Sequence, residues 1–330
     1  MKKALSNYLH SLTVDTAQHY RNMAVFPLLS DKEGSTDYLL LEEALEDDLI
    51  IITEANESGT VPELKVENKS ERSILILDGE ELVGAKQNRI VNVTSLIAAH
   101  SKLTIPVSCV EQGRWTYQSQ RFKSKERVMP SRMRMKKSAA VNKSLLNCGS
   151  FMADQGEIWN MIENRVNELQ IDAPTYAMGK IYEQEEDIID EYLTHYQPRD
   201  TQVGIMVMIN DRVIGCDCFG KHETLKKTFP KLVKSYVIDA IDVNPGKKEY
   251  SFPKEKALGF VDELKGCLAK ERPSISLGTD VRLASRKVTG SALAKDNEIL
   301  HLTAFLKDEK EAAKKVGFYQ RATKRRRSEM

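Results

Sequence analysis

The chain has 330 residues, of which 41% are hydrophobic, so it can bury one large apolar core or two ordinary ones. Charged residues make up 29% of the sequence but nearly cancel, leaving a formal net charge of +1. This balance excludes a global electrostatic field that would recruit or repel nucleic acid.

The number of cysteines and the hydropathy of the chain indicate the cellular compartment in which we expect the protein. The five cysteines are an odd number spread along the chain, which favours a reducing cytoplasm over a disulfide framework. The first 20 residues lack the apolar centre of a signal peptide. No window holds 18 apolar residues, so we expect no membrane span and no membrane partner.

The first third of the chain has the pattern of a β-rich lobe. Residues 1–22 form a mixed, weakly amphipathic lead-in, for which we predict a short helix. Turn-forming residues then separate short apolar runs, which predicts a stack of sheets resembling a sandwich or barrel over 23–117. The runs occupy 24–29, 38–41, 49–52, 74–77 and 103–110.

Two polar groups follow strands of this lobe. The run 74–77 meets Asp78-Gly79, the dipeptide typical of a tight hairpin turn. Behind it lie Glu80, Glu81, Lys86, Gln87, Asn88 and Arg89. Behind the run 103–110 lie Glu111, Gln112, Arg114 and Trp115. We predict that the two groups converge on one concave site; the alternative is two hairpin ends whose charges are satisfied by water and by each other.

A basic segment, 118–149, separates this lobe from the next. Its cations include Arg132, Arg134, Lys136 and Lys137, and Phe122 is the one aromatic residue among them. One interpretation is an arm that binds nucleic acid through phosphate. The other, which the scarcity of stacking aromatics favours, is a solvated connector between lobes.

An α/β lobe is predicted over 150–306. Amphipathic spacing predicts helices at 157–169, 186–196 and 254–269, and a fourth helix that Thr228 caps, with Pro230 in its first turn and a break at Pro245-Gly246. A predicted hairpin with its turn at Asn210-Asp211 joins the strands 203–209 and 213–219. The predicted closing strands lie at 281–288 and 298–305. The tail 307–330 ends in four basic residues, 324–327, which suit either nucleic acid or a frayed terminus.

Three long words in the sequence carry a family resemblance. They are LDGEELVGAKQNRIVN at 77–92, IPVSCVEQGRW at 105–115 and FPKLVKSYVIDAI at 229–241. With them the chain resembles a prokaryotic domain family named for its gene neighbours, the ADP-ribosylglycohydrolase and rhodanese-phosphatase superfamily-associated proteins. The resemblance implies a link to ADP-ribose or NAD metabolism by association, and it implies no particular catalytic residue.

The side-chain inventory of the two polar groups suits a nucleotide-like ligand. Glu80, Glu81 and Glu111 are candidate catalytic carboxylates, for acid–base work or for a divalent cation. Neighbouring strand residues point to opposite faces, so at most one of Glu80 and Glu81 can face a given pocket. The candidate ligand-binding residues are cations for phosphate, amides for hydroxyls and an indole for stacking: Lys86, Gln87, Asn88, Arg89, Gln112, Arg114 and Trp115.

Other chemistries find little support. Cys216 and Cys218 have no second Cys or His pair at zinc-finger spacing, so no metal site is predicted. Walker and dinucleotide-binding loops are absent from the sequence. We therefore expect an α+β protein that binds an ADP-ribose- or nucleotide-like ligand. The prediction has two forms, binding alone and binding followed by processing of the ligand. The alternative is a non-catalytic interaction or sensor protein of an NAD-linked or defence-type gene cluster that docks on nucleic acid or a partner protein. The sequence leaves the oligomeric state open.

Overall fold

A computed structural model describes residues 2–56, 59, 61–241 and 249–307. The basic cluster at 324–327 and the predicted break at Pro245-Gly246 lie outside these residues. The helices within them are α1 (Lys2–Ser11), α2 (Leu41–Glu46), α3 (Ser131–Asn147), α4 (Gln155–Glu168), α5 (Gly179–Gln184), α6 (Glu186–Leu193), α7 (His222–Ala240) and α8 (Lys254–Lys265).

Strands accompany these helices within the described residues, and together they confirm the predicted α+β class. In the first half they are β1 (Thr13–Val14), β2 (Gln18–Tyr20), β3 (Met23–Leu29), β4 (Leu39–Leu40), β5 (Ile50–Glu54), β6 (Glu63–Asn68), β7 (Ile74–Ile76), β8 (Glu80–Gly84), β9 (Arg89–Val91), β10 (Ser95–Ile97), β11 (Lys102–Cys109) and β12 (Phe122–Val128). In the second half they are β13 (Gln202–Ile209), β14 (Arg212–Phe219), β15 (Leu268–Pro273), β16 (Thr279–Ala284), β17 (Val288–Lys295) and β18 (Glu298–Leu306).

One six-stranded sheet, which we call the curled sheet, has the order β12-β8-β9-β11-β6-β5. Its outer strands β5 and β12 line opposite sides of one groove, so the sheet bends towards closure. Its inner face is apolar because alternate residues such as Ile52, Leu64 and Val107 point inward. The small sheet β10-β7-β4 contributes Ile74 and Ile97 to the same cluster.

The large sheet has nine strands, in the order β1-β3-β13-β14-β18-β17-β16-β15, with β2 beside β3. One face packs on α1 and α8 through residues such as Met206, Leu302 and Phe260. The other face packs on α7 and on helices α3 to α6 in a cluster that includes Val207 and Tyr236. That cluster also takes residues from both predicted lobes, and the division of the chain at 117 and 150 stays a prediction.

The basic segment 118–149 differs from the predicted arm or connector, because it forms β12 and α3. Strand β12 pairs with β8 in the curled sheet, and α3 buries much of its surface. Arg134, Ser138, Val141 and Leu145 recur at helical spacing and are all buried, so this face carries a charge and a hydroxyl as well as apolar groups.

Three other local predictions are wrong. Asp78-Gly79 does form a turn, in which the Glu80 amide donates to Leu77 O at 3.3 Å and Gly79 has φ +86°. However, β7 pairs with β10 and β4 while β8 pairs with β12 and β9, so the turn joins two sheets and is no hairpin. The predicted closing strand at 281–288 is also wrong, because these residues cover the end of β16, the turn after it and the first residue of β17.

The third error concerns α7, which begins six residues before Thr228, at His222. Thr228 lies inside the helix, where its hydroxyl donates to Thr224 O at 2.8 Å, and Pro230 is also internal. The hairpin at Asn210-Asp211 is confirmed, with positive φ at both turn residues, as a two-residue turn requires. None of the helices in the described ranges is both long and apolar enough to cross a membrane.

Candidate functional site

The two polar groups that the sequence singles out are joined by hydrogen bonds between Asn88 and the ion pair of Glu111 and Arg114. The Arg114 guanidinium donates to Glu111 Oε2 from Nε at 2.9 Å and from Nη2 at 2.6 Å. The backbone N–H of Asn88 donates to the same oxygen at 3.2 Å, and the side-chain Oδ1 of Asn88 accepts from Arg114 Nη2 at 3.1 Å. Thr175 donates to the other oxygen of Glu111 at 3.0 Å. Glu111 and Arg114 therefore brace the loop between β8 and β9 against the end of β11.

Arg89 lies at one end of the curled sheet. It is the first residue of β9, and its partners in register are Leu82 on β8 and Cys109, the last residue of β11. Residues in register share a face, so Arg89 points to the inner face together with the core residue Leu82. Glu54, the last residue of β5, reaches the same end because its partner Leu64 also belongs to that core.

The Arg89 side chain is fully buried, at 0% exposure, and has few partners. Its Nη1 donates to Gln87 Oε1 at 3.3 Å and to Asn88 O at 3.5 Å. Within the described residues, Nε and Nη2 have no hydrogen-bond partner, and neither has Glu54 Oε2. The ion pair from Arg89 Nη2 to Glu54 Oε1 spans 3.8 Å, which is beyond hydrogen-bonding distance.

Nε and Nη2 form the edge of a guanidinium that pairs side-on with carboxylate or phosphate. Elsewhere in this chain the same edge is used in full. Arg282 donates from Nε and Nη2 to Asp280 at 2.7 Å each, and Arg72 donates likewise to Asp37 at 2.8 and 2.6 Å. Arg89 thus has a buried fork with the geometry of an anion or diol receptor.

Two exposed aromatic rings lie beside the cations Lys86 and Arg89. Trp115 is 45% exposed and Tyr117 is 52% exposed. The Arg89 guanidinium lies 5.8 Å from the Trp115 ring, and the Lys86 ammonium lies 5.5 Å from Trp115 and 5.0 Å from Tyr117. Such rings can stack on a base while the cations meet phosphate. We call Glu54, Lys86, Arg89, Trp115 and Tyr117 the mouth cluster.

Gln87 holds the Arg89 side chain of this cluster by a hydrogen bond. Its Oε1 accepts from Arg89 and from the Cys109 thiol at 3.1 Å, and its Nε2 donates to Gln112 O at 3.5 Å. Gln112 itself extends its side chain into solvent. Burial raises the pKa of the Cys109 thiol to about 11, so this cysteine is a hydrogen-bonding core residue and not a nucleophile.

Glu80 is held in a separate ion-pair network. It pairs with the buried Lys231 of α7, which also donates to Glu42 Oε1 at 2.7 Å. Its other oxygen accepts the Leu77 amide at 2.8 Å. Burial raises the pKa of Glu80 and the charge of Lys231 opposes that rise. These contacts tie β8 to α7 and occupy both carboxylate oxygens.

Glu81 points to the opposite face of β8, as the strand rule predicts. Neither of its oxygens has a hydrogen-bond partner in the described part of the chain, and Arg127 Nη1 is the near cation at 3.6 Å. A β-carbon added at Gly179 would lie 3.4 and 3.5 Å from these oxygens, so the α5 backbone closes over the carboxyl. Burial raises the pKa of Glu81 to about 7, with Arg127 opposing it and the charges of Glu183 and Glu111 adding to it.

The three candidate carboxylates are therefore not assembled into one catalytic group. Glu80 pairs with Lys231, Glu81 lies behind Gly179, and Glu111 is saturated by Arg114, Asn88 and Thr175. Across residues 2–56, 59, 61–241 and 249–307 no three His, Cys, Asp or Glu side chains are grouped to hold a metal ion. The residues brought together in the mouth cluster are two cations, two aromatic residues and Glu54.

The four basic residues proposed for nucleic acid divide into two kinds. Arg134 is buried and pairs bidentately with Asp217 at 2.7 and 3.0 Å. Lys137 is buried against Asp78 and donates to Val91 O at 3.1 Å. Arg132 is exposed, and Lys136 is half-buried, 3.6 Å from Glu157. Arg134 and Lys137 hold α3 in the core, which leaves Arg132 and Lys136 as the pair nearer to solvent.

Two acidic residues that matter here escaped the sequence analysis. Glu54 sits at the mouth cluster, and Asp217 lies at the centre of a network with Arg134, Tyr236 and His301. An available signal was Asp217 between two cysteines in an otherwise apolar strand, since an isolated charge there requires a buried partner. Glu54 ends a strand beside Asn56 and gives no comparable signal.

The curled sheet, the large sheet and the helices packed on them define the class of the chain as a mixed α+β protein. The family model described as ARG and Rhodanese-Phosphatase-superfamily-associated Protein domain matches residues 11–305, and the chain belongs to that family. No curated protein matches the chain. No solved structure matches it either.

Proposed function

We propose that this protein binds an ADP-ribose- or nucleotide-like ligand at the mouth cluster. The observation that carries the proposal is the buried Arg89 fork: Nε and Nη2 have no hydrogen-bond partner among the described residues, and Nη2 lies 3.8 Å from Glu54 Oε1. A buried guanidinium edge costs free energy when it stays unpaired, so a ligand that pairs with it gains affinity. The family description, with its ADP-ribosylglycohydrolase association, supports the same ligand class.

The parts of such a ligand match the parts of the mouth cluster. A ribose diol can donate to Glu54 Oε2 and accept from the Arg89 fork, because these atoms have no hydrogen-bond partner among the described residues. Lys86 supplies a cation for phosphate, and Trp115 and Tyr117 offer ring faces for a base. The reducing environment expected for five free cysteines is consistent with a cytoplasmic, nucleotide-rich setting.

Processing of the ligand forms a second part of the proposal. Glu54 is the carboxylate at the mouth with an unpaired oxygen among the described residues, so it replaces Glu80, Glu81 and Glu111 as the candidate general base. Glu54→Gln keeps the shape of the side chain and removes its charge. We expect this variant to bind the ligand but to lose any turnover.

A thermal-shift panel tests the binding part. NAD, ADP-ribose, cyclic nucleotides and nucleoside phosphates are added to the wild type with and without magnesium, since a native-state ligand raises the midpoint by mass action. Arg89→Lys keeps a charge opposite Glu54 but removes the fork, and Trp115→Ala removes a stacking surface. Arg121→Lys, at an exposed pair with Asp48, is the matched control.

We expect the wild type and Arg121→Lys to shift equally with the ADP-ribose-like members, and Arg89→Lys and Trp115→Ala to shift less. Absence of any shift would favour the alternative, a non-catalytic interaction or sensor protein that docks on nucleic acid or a partner protein. Equal shifts in all four proteins would place the ligand away from the mouth cluster.

A further inference from the structure

A groove of about 1040 Å³ lies on the large sheet, beside α8. One wall is a face of α8, and the others are the start of β14, the end of β18 and the turn that joins β16 to β17. Apolar residues line part of it, with Val213 and Phe260 buried and Leu306 half-buried. The groove therefore has an apolar floor between walls that belong to four different elements.

Backbone carbonyls join these walls and hold the cations of the groove in place. Lys256 of α8 donates from Nζ to Asp211 O at 2.6 Å, in the turn before β14. Arg212 donates from Nη2 to Lys307 O at 2.9 Å, and the Lys307 backbone N–H donates to Lys287 O at 2.7 Å. The basic residues of the four walls are thus close to one another around one groove.

The charges that line the groove are mostly positive. Its cations are Arg212, Lys256, Arg286, Lys287 and Lys307, and its carboxylates are Asp211 and Glu263. Each carboxylate already accepts a hydrogen bond, Asp211 from the Ser251 backbone at 2.6 Å and Glu263 from the Ser285 hydroxyl at 3.0 Å. An exposed ion pair contributes little by itself, but five cations against two carboxylates along one groove attract a polyanion.

The length of the groove favours an extended anion over a compact ion. Lys256 and Glu263 are two helical turns apart on α8, which is roughly 10 Å along the helix axis. Lys287 Nζ lies 3.9 Å from Glu263 Oε2, so Lys256 and Lys287 mark opposite ends of this wall. A peptide in extended form covers such a distance with about three or four residues.

The floor of the groove favours a peptide over a nucleic acid. Among the described residues that line it, Phe260 is the one aromatic residue, and it is 4% exposed. The groove therefore presents no ring on which a base can stack, whereas single-stranded nucleic acids are bound largely by such stacking. Val213, Phe260 and Leu306 instead suit an aliphatic side chain.

We propose that this groove binds an acidic segment of a partner protein in extended form. Carboxylates of the segment pair with Lys256 at one end and with Arg286 and Lys287 at the other, and an apolar side chain between them packs on the floor. The groove lies on the large sheet, whereas the mouth cluster lies on the curled sheet, so the proposal does not depend on nucleotide binding.

Fluorescence anisotropy with three labelled probes tests the chemistry of the partner. The probes are the acidic peptide EDLEDL, its uncharged counterpart QNLQNL and a short oligothymidylate. We expect the acidic peptide to bind the full chain at low ionic strength, with an affinity that falls as salt is added. The uncharged peptide and the oligothymidylate should bind at least about tenfold more weakly.

A pair of charge-reversal variants locates the binding. Arg286→Glu with Lys287→Glu reverses two exposed charges on the turn between β16 and β17, and it should weaken binding of EDLEDL by at least about tenfold. Lys125→Glu with Lys226→Glu makes the same change in net charge at two exposed positions outside the groove. This control should bind the peptide as the wild type does.

A third variant tests the groove without changing any charge. A β-carbon at Gly259 would meet no atom within 4 Å, so Gly259→Leu places its side chain in the open space of the groove. Leucine is also a better helix former than glycine, and the thermal midpoint should be equal or higher. We expect this variant to bind EDLEDL at least about tenfold more weakly because the side chain occupies the floor.

The proposal is overturned if EDLEDL and QNLQNL bind equally, or if the oligothymidylate binds more tightly than the acidic peptide. It is also overturned if the groove variants bind EDLEDL as well as the control does. Asp308→Ser with Glu309→Ser and Glu311→Ser removes the acidic residues that follow Lys307 in the sequence, and affinity should stay unchanged. A large rise in affinity would identify those residues, and not a partner, as the occupant.

Discussion

Arg89 Nη2 and Glu54 Oε1 lie 3.8 Å apart at one end of the curled sheet, too far apart for a hydrogen bond. Arg89 Nε and Nη2 and Glu54 Oε2 have no hydrogen-bond partner in the described part of the chain. Breaking a buried ion pair by removing one partner leaves an uncompensated charge, which is costly. Keeping the pair 3.8 Å apart in the core also costs free energy, and a ligand that hydrogen-bonds to both groups, as we propose, would offset that cost.

Glu81 should make the stability of the fold depend on pH. Its pKa is raised from 4.5 to about 7 in the folded protein, mainly by burial, so the folded state holds a proton that the unfolded state has already lost. Stability therefore falls as pH rises from about 4.5 to about 7, by on the order of 3 kcal/mol if no other group compensates.

Glu81→Gln mimics the protonated carboxyl and should remove that dependence. We expect the variant to be more stable than the wild type at pH 8 and about equal to it at pH 4.5, measured by urea denaturation across this range. Glu63→Gln, at an exposed position of β6, is the control and should follow the wild-type curve. Parallel curves for wild type and Glu81→Gln would refute a raised pKa at this carboxyl.

The bidentate pair of Arg134 and Asp217 should be among the most sensitive positions in the core. Arg134→Met leaves Asp217 buried without its cation, and we expect a loss of about 3–5 kcal/mol in the free energy of unfolding. The exposed neighbour change Arg132→Met should cost less than about 0.5 kcal/mol. Similar losses for the two variants would show that Arg134 is not buried in an ion pair.

The nucleic-acid hypothesis for α3 now concerns Arg132 and Lys136. Changing both to Ala spares the core cations Arg134 and Lys137, so the fold should persist. If these residues contact phosphates, the slope of log affinity against log salt should fall by about two. We expect instead equal oligonucleotide binding by the variant and the wild type at low salt, because the neighbouring cations of this helix serve the core. A smaller slope in the variant would reverse that expectation.

Local sequence pattern predicted the elements that local chemistry specifies. The Asn210-Asp211 hairpin was predictable because a two-residue turn needs residues that tolerate positive φ. The opposite orientations of Glu80 and Glu81 followed from the period of a strand. Helices α4 and α6 were predictable from their apolar spacing.

What the sequence could not give is the pairing of distant charges. Arg134 and Lys137 belong to a basic segment whose composition is typical of a solvated arm. They are buried because each pairs with a carboxylate from another element, Asp217 for Arg134 and Asp78 for Lys137. The same limit applies to Asp78-Gly79, because turn chemistry does not say whether the next strand returns to the same sheet. It applies as well to Glu54, which meets Arg89 only through the curl of its sheet.

The ion pair of Glu111 and Arg114 should control the order of the β8–β9 loop. Arg114→Lys keeps a positive charge but cannot donate at once to Glu111, Ala85 O and Thr116 O, which the guanidinium reaches at 2.6–2.9 Å. We expect faster amide hydrogen exchange at Gly84 and Asn88, and about 1–3 kcal/mol lower stability. Unchanged exchange at both amides would show that the brace is not needed.

Calorimetric titration of ADP-ribose against the wild type, Arg89→Lys and the control Arg121→Lys is the most direct test of the mouth cluster as a ligand site. Losing the fork removes charge-assisted hydrogen bonds worth roughly 1.5–3 kcal/mol, so the account predicts a Kd about tenfold or more weaker for Arg89→Lys and an unchanged Kd for Arg121→Lys. Identical dissociation constants for all three proteins would contradict it.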